Sequence, residues 1–287
     1  MTSRRGFCRK PRYRRYRLGR VNAAIDENHL DESPRGLTIM AVVGVFVGIL
    51  SGMFGIGGGT IIVPALVWLG LTQRHAAATS MMAIVPTAIS GVISYAVEGN
   101  VDWIAAALVF AGMFVGGQIG SWLLSKLPEI ALRWAFVAFL VFVIINQAIS
   151  NPSRDSHIDM HPIMALGLIA FGVIAGVLAG LLGIGGGAIC VPALSIIFGA
   201  SDLIARGTSL LAMFPNSITT SVANVRRHMV HVKAAVIIGV IAAITAPLGT
   251  WIAGAVTPRT GAIMFTVYLS ALLVRSLFVA FKAMRRR

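Results

Sequence analysis

Charged residues are scarce in this sequence. They make up 12% of its 287 residues, whereas 57% are hydrophobic. Because a soluble domain carries about a quarter charged residues to cover its surface, this chain suits lipid rather than water as its solvent. From residue 36 onward, apolar stretches long enough to cross a bilayer follow one another closely. The composition therefore predicts an all-α polytopic membrane protein.

Cysteine and membrane-embedded acid are equally scarce. The only cysteines are Cys8, in a basic N-terminal stretch, and Cys190, in an apolar stretch. Two cysteines so placed form neither a metal site nor a disulfide framework. No Asp or Glu falls inside a predicted apolar segment, and no ATP-binding motif is present. We therefore expect no metal, no cofactor and no catalytic residues, and a membrane enzyme fits the sequence badly.

Basic residues are concentrated between and outside the apolar segments. The net charge is +14, but no folded nucleic-acid-binding module accompanies the arginines, so we expect no nucleic-acid partner. The placement matches the excess of Lys and Arg in cytoplasmic loops. We interpret residues 1–35 as a basic, disordered cytoplasmic tail that is able to bind anionic lipid. The clustered basic residues are Arg4, Arg5, Arg9, Lys10, Arg12, Arg14, Arg15, Arg17, Arg20, Arg226, Arg227, Lys233, Lys282, Arg285, Arg286 and Arg287.

One block of sequence occurs twice. Gly52–Leu66 reads GMFGIGGGTIIVPAL, and Gly180–Leu194 reads GLLGIGGGAICVPAL. The correspondence continues downstream of the block, so the chain is an internal repeat. We predict two transmembrane repeats, 36–150 and 162–287, joined by a polar linker at 151–161.

The loop charges predict how the repeats are oriented. Glu98–Asp102 contains two acids, whereas the equivalent loop in the second repeat, Arg226–Lys233, is basic. Equivalent loops of opposite charge indicate opposite sides of the membrane. We therefore expect inverted-topology repeats, each a short broken-helix hairpin plus three transmembrane helices, with about 8–10 membrane segments and cytoplasmic termini. The expected full-length segments are 76–97, 103–125, 130–150, 205–225, 232–256 and 258–281.

The glycine clusters predict a break in a helix at membrane depth. Glycine costs about 1 kcal/mol in a helix interior, and broken backbone survives in a membrane only where protein or a water-filled cavity satisfies it. Glycine also lets successive N–H groups converge on an anion, and the next helix begins directly afterwards. Close helix packing is the alternative explanation. The predicted substrate-binding glycines are Gly55, Gly57, Gly58, Gly59, Gly183, Gly185, Gly186 and Gly187, and the predicted helix-breaking prolines are Pro64, Pro86, Pro192 and Pro215.

Hydroxyl and amide side chains in the apolar segments add candidate donors. Thr79 and Ser80 correspond to Thr208 and Ser209 in the second repeat. Their hydroxyls could donate to an oxyanion or bond back to their own helix. Asn216 and Asn224 occur in the second repeat only, and Gln118 of the first repeat lies on a segment whose partner has Pro247. These residues could tune substrate choice or pack between helices.

The doubled GxxGIGGGxxxVPxL block resembles the TauE/SafE sulfite exporter family, and the resemblance covers nearly all of 36–287. It implies a secondary transporter of small anions, such as sulfite or sulfonate breakdown products, in the bacterial inner membrane. The absence of embedded acids favours facilitated flux or coupling through the substrate's own proton. A transporter of another anion, such as a carboxylate, and an anion channel stay open as alternatives. The sequence leaves the oligomeric state open.

Overall fold

The structure is a computed structural model and describes residues 34–149 and 161–284. In these residues the protein is all-α. The expected basic tail, 1–35, and the expected linker, 151–161, lie outside the described residues except for residues 34, 35 and 161. The first repeat contains α1 (Pro34–Phe54), α2 (Gly59–Trp68), α3 (Gln73–Val97), α4 (Trp103–Lys126) and α5 (Glu129–Ile149), and the second contains α6 (Pro162–Leu182), α7 (Gly187–Ile196), α8 (Asp202–Arg226), α9 (Val232–Ala255) and α10 (Pro258–Met284).

Short polar residues start several of these helices. Thr72 caps α3, and its hydroxyl accepts a hydrogen bond from His75 N. Ser201 caps α8 in the same way through Ile204 N. Asp102 caps α4, where its carboxylate accepts from Ala105 N at 2.9 Å. These side chains satisfy N–H groups that a helix leaves open in its first turn, so the repeats begin their long helices at matching places.

The helices confirm a polytopic membrane protein. Among the described residues, six helices are long and apolar enough to cross a membrane. They include α1 and α6, so the first helix of each broken hairpin is itself a candidate span. Of the other expected spans, α5 is 21 residues long and as apolar along its length as α1, whereas α8 is 25 residues long and less apolar. Large apolar side chains such as Phe46 and Ile244 lie exposed on the outer surface, where lipid would cover them.

The two repeats exchange helices through glycines. In the first pair, α1 packs on α9, and a Cβ atom on Gly52 would collide with the carbonyl of Ala246. In the second pair, α6 packs on α4, and a Cβ atom on Gly180 would lie 2.6 Å from Gly117 O. Small residues let helix backbones approach this closely. Each repeat therefore holds the first helix of the other.

Helices α3 and α8 cross the middle of the molecule in opposite directions. Thr79, near the start of α3, accepts a hydrogen bond from His231 N, just beyond the end of α8, at 2.9 Å. Thr208, near the start of α8, accepts from Asp102 N, beyond the end of α3, also at 2.9 Å. The start of each helix therefore lies beside the end of its counterpart, which brings both glycine blocks to the same central region.

Candidate functional site

Each glycine block interrupts the chain between a long helix and a short one. The first break separates α1 from α2, and the second separates α6 from α7. Glycine is required because the backbone enters the left-handed region, which residues with a Cβ atom seldom adopt. The positive φ angles are 69° at Gly55, 71° at Gly57, 81° at Gly58, 71° at Gly183, 75° at Gly185 and 96° at Gly186.

The breaks leave buried backbone N–H groups open. After Gly55 N–H, which bonds to Ser51 O, the next backbone donors with a well-formed bond are Ile61 and Ile62, both to Gly58 O. The N–H groups from Ile56 to Thr60 therefore lack such a bond in the described structure, although all these residues are buried. The second block repeats the pattern from Ile184 to Ala188. Buried backbone donors of this kind are rare and call for a partner.

The two glycine blocks lie directly against each other. A Cβ atom on Gly59 would lie 2.5 Å from Gly183 O. In the reciprocal contact, a Cβ atom on Gly187 would lie 2.6 Å from Gly55 O. The glycines therefore serve close helix packing, the alternative that the sequence offered, as well as the unusual backbone. We call this pair of facing breaks the glycine centre.

Two apolar side chains cover the glycine centre. Ile84 of α3 and Met213 of α8 occupy equivalent places in the repeats and are fully buried. A Cβ atom on Gly57 would lie 2.5 Å from Met213 Cε, and one on Gly185 would lie 3.1 Å from Ile84 Cδ1. In the described conformation these two apolar side chains therefore close the glycine centre.

The predicted hydroxyl pairs connect the repeats to each other. Ser80 donates to Gly183 O, and Ser209 donates to Gly55 O at 3.1 Å. Thr79 and Thr208 accept backbone N–H groups at the ends of α8 and α3, as described above. The serines thus satisfy one carbonyl of each break and leave its run of N–H groups open.

The predicted helix-breaking prolines lie inside helices. Pro64 and Pro192 fall within α2 and α7, while Pro86 and Pro215 fall within α3 and α8. The breaks themselves fall at the glycines. Pro86 lines an apolar cavity of 540 Å³ between α3, α8 and α9, and Pro64 lines a second cavity of 270 Å³ beside Arg275.

Sequence reasoning missed a buried ion pair beside the first break. Arg206 is 5% exposed and forms a salt bridge with Asp202, which is 5% exposed, at 2.7 Å. Arg206 also donates to Met53 O, next to the glycine block. The sequence placed Asp202 at a segment edge, and it is indeed the first residue of α8. The available signal was the lone arginine inside the segment 205–225.

A row of unpartnered polar groups lies on α8. Asn216, Thr220 and Asn224 are fully buried, yet both polar atoms of each amide and the Thr220 hydroxyl lack a hydrogen-bond partner in the described structure. Residues four apart share one helix face. This face meets α4 at Gly117, where a Cβ atom would collide with Asn216 Oδ1. We call these three residues the polar seam. The unpartnered Ser221 hydroxyl lies on the neighbouring face.

One further buried hydroxyl lies beside the first break. Ser51, one turn before the first break, has a buried hydroxyl without a partner, and sequence reasoning did not single it out. No group of three or more His, Cys, Asp or Glu side chains that could hold a metal ion occurs within 34–149 and 161–284.

Comparison with known proteins identifies the family. The model of the family described as "Sulfite exporter TauE/SafE" matches residues 39–276. The chain is 27% identical over 210 residues to "Probable membrane transporter protein YunE" of Bacillus subtilis, covering 65% of this chain and 77% of that protein. It is 30% identical over 192 residues to a "Probable membrane transporter protein" of Xylella fastidiosa, covering 64% of this chain and 72% of the relative.

A third relative, from Methanocaldococcus jannaschii, also carries the name "Probable membrane transporter protein". It is 31% identical over 175 residues, which cover 56% of this chain and 62% of the relative. No solved structure matches the chain significantly. The family match spans both glycine blocks and all but the outermost parts of the two repeats. The chain is therefore a member of the sulfite exporter TauE/SafE family.

Proposed function

We propose that this multi-pass membrane protein is a secondary transporter of small anions and that the glycine centre binds the anion. The observation that carries the proposal is the run of open N–H groups in each break. Carbonyl groups could attract a cation instead, but Ser209 and Ser80 already donate to Gly55 O and Gly183 O. What remains open in each break includes a run of five N–H donors, and donors stabilise negative charge.

The short helices strengthen this preference. Both α2 and α7 begin at the last glycine of their block and are 10 residues long. The N-terminus of a helix carries partial positive charge, equivalent to about half an elementary charge. Two such ends at the glycine centre favour an anion over a neutral or cationic substrate.

The orientation of the repeats belongs to the same proposal. Antiparallel α3 and α8 support two units of opposite topology, because each helix begins beside the end of its counterpart. The positive-inside pattern then places the loop 226–233 and both termini in the cytoplasm of a bacterial cell. Inverted units around a shared central site are typical of alternating-access transporters.

A sulfur-containing anion, such as sulfite or a product of sulfonate breakdown, is the substrate class we propose. The family description supports it, and a tetrahedral or pyramidal oxyanion presents several oxygens to donors arriving from two breaks. A carboxylate is the second candidate, since backbone donors would bind it equally well.

Uptake into proteoliposomes tests the proposal. Purified protein would be reconstituted and supplied with ³⁵S-labelled sulfite, sulfate or thiosulfate, or with a ¹⁴C-labelled carboxylate. We expect saturable uptake of at least one sulfur oxyanion above protein-free vesicles. Saturable uptake of the carboxylate alone would replace the substrate class. Absence of flux for every anion would refute the proposal, and single-channel currents without saturation would show a channel.

Leucine at the glycine centre provides the matched negative control. We expect Gly57→Leu and Gly185→Leu to insert into the membrane and to abolish uptake. A Cβ atom at either position already meets Ile84 or Met213, and the larger side chain would fill the site. Normal uptake by both variants would show that the glycines serve packing alone.

A further inference from the structure

The polar seam has no counterpart in the first repeat. Where the second repeat has Asn216 and Asn224, the first has Thr87 and Tyr95 at equivalent positions. The Thr87 hydroxyl bonds back to Ala83 O at 3.1 Å, and the Tyr95 hydroxyl donates to Gly52 O at 2.7 Å. Both polar groups in the first repeat are therefore satisfied, whereas the seam is not. A difference between equivalent positions of one fold is not explained by packing needs common to both repeats.

The position between Thr87 and Tyr95 on the same helix face also carries no open polar group. Gly91 replaces Thr220 there, and a Cβ atom on Gly91 would lie 2.8 Å from Leu210 Cδ1. On the same side of the glycine centre, Arg206 donates to Met53 O and pairs with Asp202. This side of the centre is therefore closed by Tyr95 of the first repeat, by apolar contacts between α3 and α8, and by the ion pair at the start of α8.

The polar seam has the length of a path from the centre to the surface. Asn216 lies one turn beyond Met213, which contacts the glycine centre. Arg227, half-buried at the end of α8, donates to Ser121 of α4 at 3.0 Å. The eleven residue steps from Asn216 to Arg227 rise by about 16 Å along the helix, which is about half of a hydrocarbon core of about 30 Å.

The chemistry of the polar seam suits an anion that has lost part of its water. Amide and hydroxyl groups donate hydrogen bonds without carrying a charge, so they stabilise an oxyanion but do not trap it. A buried, unpartnered amide is costly, and this cost is offset whenever an ion passes. Arg227 supplies positive charge at the outer end, where it raises the local concentration of anions.

We propose that Asn216, Thr220 and Asn224 line the half of the substrate path between the glycine centre and the loop 226–233, and that α8 separates from α4 there to admit an oxyanion. This proposal rests on the proposed function and assigns its route. It predicts that the two repeats have unequal roles. The second repeat supplies the polar side chains of the path, and the equivalent positions of the first repeat lie on the closed side.

Thiol labelling tests the route without relying on transport. Asn216→Cys, Asn224→Cys and Thr87→Cys would each be made in a chain carrying Cys8→Ser and Cys190→Ala. The probe is the anionic, membrane-impermeant reagent 2-sulfonatoethyl methanethiosulfonate, added to vesicles of either orientation. We expect both seam cysteines to react at least tenfold faster than Thr87→Cys, and only from the side of the loop 226–233. Equal rates, or labelling from the opposite side, would overturn the proposal.

Transport by conservative variants gives the second measurement. We expect Asn216→Ser and Asn224→Ala to lower the initial uptake rate about tenfold or more, since a hydrogen bond to a charged partner is lost. The matched control Thr87→Val removes a satisfied hydroxyl at the equivalent position and is expected to keep the rate within about twofold. Equal losses in seam and control variants would overturn the route while leaving the transporter intact. Absence of uptake by the unaltered protein would instead refute the proposed function, and labelling would still decide whether the seam opens.

Discussion

Alanine at Gly183 measures how tightly the glycine centre is packed. Gly183 has φ 71°, and a Cβ atom there would collide with the backbone carbonyl of Ala77. The left-handed backbone alone costs a residue with a Cβ atom about 1–2 kcal/mol. Overpacking a well-packed interior adds about 1–3 kcal/mol. We therefore expect Gly183→Ala to lose about 2–5 kcal/mol of stability.

The chain offers controls that separate the two costs. Gly99 has φ 73° with no atom within 4 Å of a built Cβ, so Gly99→Ala reports the backbone cost alone. Gly59 has no positive φ, but a Cβ atom built on it would lie 2.5 Å from Gly183 O, so Gly59→Ala reports the overlap alone. Gly254 has neither feature, and alanine there is expected to be neutral or to stabilise by up to about 1 kcal/mol through helix propensity.

The assay is the apparent midpoint of thermal unfolding in detergent, followed by tryptophan fluorescence. All four variants would be compared at one scan rate, because unfolding of membrane proteins is often irreversible. The expected order, from least to most stable, places Gly183→Ala below both Gly99→Ala and Gly59→Ala, with Gly254→Ala the most stable. If Gly183→Ala is no less stable than Gly99→Ala, the second break does not pack against α3 as closely as the structure shows.

Two further predictions concern charges on the two sides of the glycine centre. Asp202→Asn leaves the buried Arg206 without its carboxylate and should cost about 3–5 kcal/mol of stability, which lowers the unfolding midpoint. The double variant Asp202→Leu/Arg206→Met should lose less stability than Asp202→Asn. A loss equal to the sum of the losses of the two single variants would contradict this account of the pair. Arg227→Gln should raise the half-saturating anion concentration about two- to fivefold at low salt, and the effect should fade in 0.3 M NaCl through screening. Arg259→Gln, on an exposed site, is the matched control. An unchanged value for Arg227→Gln at low salt, or the same shift in the control, would count against an electrostatic role of Arg227 at the outer end of the path.

The breaks and the repeat could be predicted because their causes are local. Glycines grouped as in Gly55–Gly59 exclude a continuous helix whatever surrounds them, and identical letters at a fixed spacing reveal the repeat directly. The helical class followed from apolar length in the same way. Neither inference required knowledge of which helices touch.

The partners of the polar side chains could not be predicted, because they depend on the exchange of helices between repeats. Ser80 and Ser209 point to carbonyls more than a hundred positions away in the chain. The sequence predicts that these hydroxyls form hydrogen bonds, but not that their acceptors lie in the glycine break of the opposite repeat. The pairing of Asp202 with Arg206 was within reach, since residues four apart share a helix face, but their burial was not.

The asymmetry between repeats was visible in the sequence but had two explanations. Asn216 and Asn224 stood out as unmatched amides, which suggested either substrate selection or interhelical packing. Only the absence of any hydrogen-bond partner for either amide in the described structure favours the first explanation, because an amide used for packing is normally satisfied.

The location of a bound anion tests the glycine centre most directly. The measurement is a structure determined with the anion that shows saturable uptake, using selenite in place of sulfite for its anomalous signal. We predict an anomalous peak within hydrogen-bonding distance of backbone N–H groups from both breaks, among Ile56–Thr60 and Ile184–Ala188, and loss of that peak in Gly57→Leu. A peak that lies only elsewhere in the protein, or one that persists at the centre in Gly57→Leu, would contradict the account.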